Sequence, residues 1–229
     1  MRNYIHPTAL VDPKVSLGFR NYIGPYTVID GFVNLGDDNW IGPHVVIGSP
    51  PEHKLARISP EYKLSGKINI GSNNIIHEFT TIQGPIGEST TIGDMNFIMN
   101  KVHIAHDCII GSNVILSAGV LVGGHVTIRD LANLGLGAII HQTIEIPSFC
   151  MVGMGAVVTK NPPPFSTITG IPARVISVNQ IGLEKAGYHL SESQSTILRQ
   201  VIFENDLSFL QHLPQDIQQI IKVHAEGLE

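Results

Sequence analysis

Aliphatic residues return at every sixth position along most of this chain: Ile5, Val11, Leu17, Ile23, Ile29, Leu35, Ile41 and Ile47, each followed by polar or small residues. The phase resumes at Ile70, Ile76 and Ile82. It then slips by four residues and runs through Ile92, Ile98, Ile104, Ile110, Leu116, Val122, Ile128, Leu134, Ile140, Ile146, Val152 and Val158. A helix repeats near 3.6 and a strand near 2, so a period of six excludes both as continuous elements. A smaller side chain stands two residues before many of the aliphatics, as at Ala9, Thr27, Thr80, Thr90, Cys108, Ala132, Ala138, Cys150 and Ala156. Each hexad therefore has two inward positions. A unit of short strand plus turn can stack these on the next coil and bury a continuous aliphatic column. Glycine after the aliphatic, at Gly18, Gly24, Gly36, Gly42 and Gly48, is expected to supply backbone angles that a Cβ resists.

Three stretches leave the pattern. Residues 49–69 carry Glu52, His53, Lys54, Arg57, Glu61 and Lys63 and are expected to project as a polar loop, where function often resides. Gly84-Pro85-Ile86-Gly87 reads as a turn-rich extension of one corner. Lys160-Asn161-Pro162-Pro163-Pro164-Phe165 ends the repeat, and helical spacing follows: Gln180 to Ala186, a helix from about Glu192 after a Ser191 cap, and Gln215 to Ala225. The expected organisation is a β-helix domain over residues 1–178 with the projecting loop 49–69, and a helical region over 179–229. Leu228-Glu229 reads equally as native or as a vector remnant.

With 229 residues, 43% of them hydrophobic, a sizeable core is available. A net charge of -5 with 14% charged residues argues against a nucleic-acid or anionic-membrane binder, which needs a dense basic surface. No uninterrupted apolar run is long enough to span a bilayer, and the first residues lack a signal-peptide core, so the expectation is a cytoplasmic protein. Cys108 and Cys150 occupy inward positions and are expected to be packed thiols.

If the inward positions are as assigned, His103, His106, His125 and His141 face outward. Three hexads make a coil of about 18 residues, which puts His106 and His125 near one another on successive coils. His141 is farther along, and a neighbouring subunit could bring it in. Imidazole titrates near neutrality and suits a general base taking a proton from a hydroxyl as that hydroxyl attacks a carbonyl. Asp107 could orient His106, although adjacent residues of an extended chain tend to point apart.

The repeat resembles that of the hexapeptide-repeat acyltransferases, which implies a left-handed triangular prism and a homotrimer with sites between prisms. The run Ile98-Met99-Asn100-Lys101-Val102-His103-Ile104-Ala105-His106-Asp107-Cys108 is similar to the active-site strand of the UDP-N-acetylglucosamine 3-O-acyltransferases of lipid A synthesis. Gly124-His125-Val126, His141-Gln142, Asn179 with Gly182-Leu183, and Gly187-Tyr188 match further stretches in order. The resemblance implies His106 as general base, the Gly124 N–H as oxyanion donor, and His103, His125, His141 and Gln142 as groups that position sugar or donor. It places Glu52 and Lys54 at the nucleotide sugar, with a solvated charge pair as the alternative, and Asn179 and Lys185 in the same substrate-binding set. Met154 falls where the family limits acyl-chain length, implying a short or medium chain; ordinary packing is the other reading.

Gln83 and Gly84 stand where the family has a His-Arg pair, Ile181 replaces an acidic residue, and Ala186 replaces the second of two arginines. Thr169-Gly170-Ile171-Pro172-Ala173-Arg174 looks like the Gly-x-Pro-Ala-basic turn of coenzyme A-dependent hexapeptide transferases. Gly170 and Arg174 thus leave the donor open between an acyl carrier protein, which needs a basic landing strip, and coenzyme A. No bound cofactor and no metal are expected. The competing readings are N-acylation of a nucleotide-linked amino sugar, a γ-type carbonic anhydrase with interfacial zinc, and an inert prism.

Overall fold

The computed structural model describes residues 2–52 and 66–226. Strands of mostly two residues alternate among three parallel sheets, and each sheet takes every third strand in chain order. The chain is a left-handed parallel β-helix, three hexads to the coil. The first face runs from Tyr4–Ile5 to Ser166–Gly170, the second from Leu10–Val11 to Val157–Val158, and the third from Ser16–Leu17 to Glu145–Ile146. Register is carried by the sixfold aliphatics themselves: Ile23 pairs with Ile41, Ile41 with Ile76, Ile76 with Ile98 and Ile98 with Leu116. These side chains are almost wholly excluded from solvent and form one continuous core. Each aliphatic so placed contributes roughly 1.5–3 kcal/mol by burial, which is how two-residue strands of little intrinsic stability persist.

Two features differ from the sequence expectation. Of the glycines after the aliphatics only Gly48 (φ 92) takes an unusual angle; Gly18, Gly24, Gly36 and Gly42 are needed for close approach instead. Gly24 has an ordinary φ, and a Cβ built there would meet the Gly42 carbonyl carbon at 2.8 Å. The left-handed angle of most turns falls instead on side-chain-bearing residues two after the glycine position, such as Tyr26 (φ 59), His44 (φ 55), Asp107 (φ 59) and His125 (φ 59), with glycine there only at Gly119, Gly137 and Gly155. The second feature is a polar ladder inside the prism. Asn21, Asn39, Asn74 and Asn96 occupy inward positions on successive coils, and the Oδ1 of each accepts the backbone N–H that begins the corresponding hexad of the next coil, from Asn39, Asn74, Asn96 and Val114. At Asn21, Asn39 and Asn74 the side-chain nitrogen also donates, so the inward amide is paired on both sides, whereas Asn96 Nδ2 is buried with no partner among the described residues.

The two interruptions appear as jumps in register, from an offset of 18 residues between Asn21 and Asn39 to 35 between Asn39 and Asn74 and 22 between Asn74 and Asn96. The excursion is shorter than residues 49–69, because Val46–Ser49 and Lys67–Ile70 are both strands of the prism. After Ser166–Gly170 the chain reverses into the antiparallel strand Ala173–Val178, so the parallel coil ends before residue 178. Three helices follow: α1 (Gln180–Lys185), α2 (Glu192–Glu204) and α3 (Gln215–Glu226). The Ser191 hydroxyl caps α2 by accepting from Gln194 N, and the Gln194 side chain returns the bond to the Ser191 backbone. Leu198, Val201, Ile202, Ile217 and Ile221 pack with Phe149 and Phe165 in a second, smaller core against the end of the prism.

Candidate active site

The edge between the second and third faces carries the chemistry. His106 and Asp107 turn the chain from the strand His103–Ile104 to Ile109–Ile110, and Gly124 and His125 make the same turn one coil on. His106 and Gly124 are equivalent positions, as are Asp107 and His125. Because Gly124 has no side chain, the His106 ring lies over it: a Cβ there would come within 2.7 Å of His106 Cε1 and 2.8 Å of Nε2. The rings of His106 and His125 meet edge to face with centroids 5.1 Å apart. The side chains of His106 and Asp107 do pair, with Nδ1 2.9 Å from Asp107 Oδ2, which corrects the expectation that neighbours point apart. The left-handed turn at Asp107 swings its side chain back beside the preceding one.

What holds Asp107 was not read from the sequence. Oδ2 also accepts from Ile86 N at 3.0 Å and Oδ1 from Gly87 N at 2.8 Å, while the Asp107 N–H donates to Thr90 Oγ1. The four-residue slip therefore supplies two amides that seat the carboxylate, whose side chain is 8% exposed. The only sequence signal was that the slip precedes the His-Asp run by one coil. A carboxylate can only accept here, so His106 Nδ1 carries the proton and Nε2 is left as the basic nitrogen. The Gly124 N–H has no acceptor among the described residues, whereas the flanking Gly123 and His125 N–H groups donate to Ile140 O and His106 O.

His103 lies on the second face, half-buried, with Nδ1 2.8 Å from Thr81 Oγ1. Burial pushes its pKa below the ordinary imidazole value, and Glu52, exposed where the excursion leaves the prism, opposes that shift. Lys54 lies outside the described residues. His141 and Gln142 follow the strand Ile139–Ile140, which pairs directly with Leu121–Val122. They stand exposed on the same edge as the cluster, so no second chain is needed to align them with it. Cys108 and Cys150 are buried free thiols, each pushed by burial up to about 12.

The remaining predicted positions sit on other edges. Met154, 71% exposed, is on the edge between the first and second faces, one coil beyond Leu136. Gly170 and the exposed Arg174 belong to the hairpin that ends the first face. Asn179 and Lys185 lie beside a cavity of about 550 Å³ formed by α1 against Ile115, Leu131 and Met151. The Asn179 amide is committed within the fold: Oδ1 accepts from Gly182 N and Nδ2 donates to Phe149 O. One chain thus presents its histidines, Met154 and Lys185 on three different edges.

The family described as bacterial transferase hexapeptide (six repeats) matches residues 89–124, a span that contains His103, His106, Asp107 and Gly124. LpxA from Acinetobacter baumannii is 30% identical with a TM-score of 0.74, the alignment covering 94% of this chain and 89% of that one. The chain belongs to the hexapeptide-repeat acyltransferases. Curated members of this acyltransferase family named acyl-(acyl-carrier-protein)--UDP-N-acetylglucosamine O-acyltransferase include one from Gloeothece citriformis, 35% identical over 66% of this chain, and one from Burkholderia orbicola, 36% identical over 70%. The chain spans 56% and 63% of the length of those two relatives. Among the described residues of this hexapeptide-repeat acyltransferase, no helix is long and apolar enough to cross a membrane.

Proposed function

We propose that the chain transfers a short or medium acyl group from an acyl thioester to the 3-hydroxyl of UDP-N-acetylglucosamine or a related nucleotide sugar. The observation that carries this is the His106–Asp107 pair beside the Gly124 N–H, which has no acceptor among the described residues. His106 Nε2 takes the proton of the sugar hydroxyl as its oxygen attacks the thioester carbonyl. The negative charge that gathers on the carbonyl oxygen meets the Gly124 N–H, and the imidazolium, steadied by Asp107, returns the proton to the departing thiol. His103, kept neutral by its burial, together with His125, His141 and Gln142, positions sugar or donor along the same edge. Glu52 and Lys54 meet the nucleotide sugar, and Asn179 serves by anchoring α1, which carries Lys185.

Because Met154 and Lys185 stand on other edges than the histidines, the reading requires a homotrimer in which neighbouring prisms complete each site. The carrier is an acyl carrier protein, in keeping with the names of the curated relatives, and Arg174, Lys160 and Lys101 are the basic residues available to meet it. The protein works in the cytoplasm and needs no bound cofactor.

The test is acyl transfer followed by thiol release, with acyl carrier protein and coenzyme A donors and with hydroxyl and amino acceptors. His106→Ala should lower turnover by roughly 10²-fold or more. Unchanged turnover removes His106 from the mechanism, and turnover with an amine alone replaces O- by N-acylation.

A further inference from the structure

We infer that His106, Asp107 and His125 also form a binding site for a divalent transition-metal ion of the zinc type, and that its occupation switches acyl transfer off. The inhibitory half rests on His106 being the base; the binding half does not. Each of the three residues offers one ligand atom, and these atoms all lie within 4.8 Å of one another. Two imidazoles and a carboxylate make a donor set that suits tetrahedral zinc, with water as the fourth ligand.

The distances say what must move. Tetrahedral Zn–N bonds near 2.0–2.1 Å put donor atoms about 3.4 Å apart, so donor atoms that stand as much as 4.8 Å apart must close by up to about 1.4 Å. Asp107 cannot supply that movement, because Ile86 N and Gly87 N grip both its oxygens. This grip is itself the kind of outer hydrogen bonding that orients a metal-bound carboxylate. His125 can: it is exposed, and its ring has no hydrogen-bond partner among the described residues. The ion binds neutral imidazole: taken at Nε2 it leaves the single ring proton on Nδ1, and taken at Nδ1 it moves that proton to Nε2. With its nitrogen lone pair on the metal, His106 can no longer accept a proton from a hydroxyl.

The experiment uses the full chain, stripped with chelator and dialysed against Zn²⁺ or Co²⁺, with bound metal measured per chain and the Co²⁺ visible absorption recorded. The expectation is one ion per chain. His125→Asn, which keeps a residue tolerant of the left-handed turn but removes the imidazole, should weaken binding by roughly tenfold or more. His189→Gln, at an exposed histidine of the helical region, should leave it unaltered. Binding that His125→Asn does not change overturns the inference. In parallel, transfer by metal-free wild type should fall as Zn²⁺ is added and return with chelator. Full turnover at saturating Zn²⁺ sinks the inference and leaves the acyltransferase reading standing. Cluster-bound zinc in a protein that transfers no acyl group when metal-free sinks that reading and leaves the site.

Discussion

Gly124→Ala separates two jobs that fall on one residue. The backbone N–H survives the change, so any loss reports on the space that Gly124 leaves for His106. The new Cβ would lie 2.7 Å from His106 Cε1, 2.8 Å from Nε2 and 3.2 Å from Nδ1, whereas ordinary contact begins at 3.4 Å. The ring must therefore retreat by about 0.7 Å, and a misplacement near 1 Å costs on the order of 10²-fold in rate. Retreat also strains the 2.9 Å bond to Asp107, which cannot follow because two amides hold it. Gly124 has no left-handed φ, so alanine suits the backbone and the prism should keep its thermal stability. The expected result is turnover lowered by about 10²-fold, KM for the nucleotide sugar changed far less, and an unaltered melting curve. The assay is steady-state thiol release alongside thermal melting followed by circular dichroism. Turnover within about threefold of wild type would refute the reasoning, since a 10²-fold effect is the consequence of the displaced base.

Other consequences are tested as simply. Asn39→Ala leaves the Asn74 N–H and amide and the Gly71 carbonyl without their buried partner, and should cost roughly 3 kcal/mol in denaturant unfolding with no direct effect on chemistry. Met154→Gly, at an exposed turn, should shift donor preference toward longer acyl chains in competition assays while leaving stability nearly unchanged; an unaltered profile removes Met154 as the ruler. The Tyr188 hydroxyl bonds to the Asp216 carboxylate, which lowers the Asp216 pKa and lifts that of Tyr188 to about 12. A carboxyl depressed on folding adds stability above its unfolded pKa and loses it as pH falls through the folded value. Tyr188→Phe should therefore lower the melting temperature of the helical region near neutral pH, and the difference should vanish in strong acid.

The sixfold spacing alone determined the coil, its register and the identity of the core, because an inward residue every six positions has one way to bury itself. It also determined which edge carries His106 and His125, since a coil length near 18 residues fixes what lies above what. Three things waited for the tertiary structure. The inward asparagines look like interruptions in a list of small inward residues, and only the stacked coils show each amide answering the next coil's N–H. The pairing of His106 with Asp107 depends on a left-handed turn at a side-chain-bearing residue and on amides twenty residues upstream, neither of which a local pattern can report. The separation of the histidines, Met154 and Lys185 onto three edges is a matter of which corner of the triangle each hexad turns, a quantity that exists only once the chain has closed its coils.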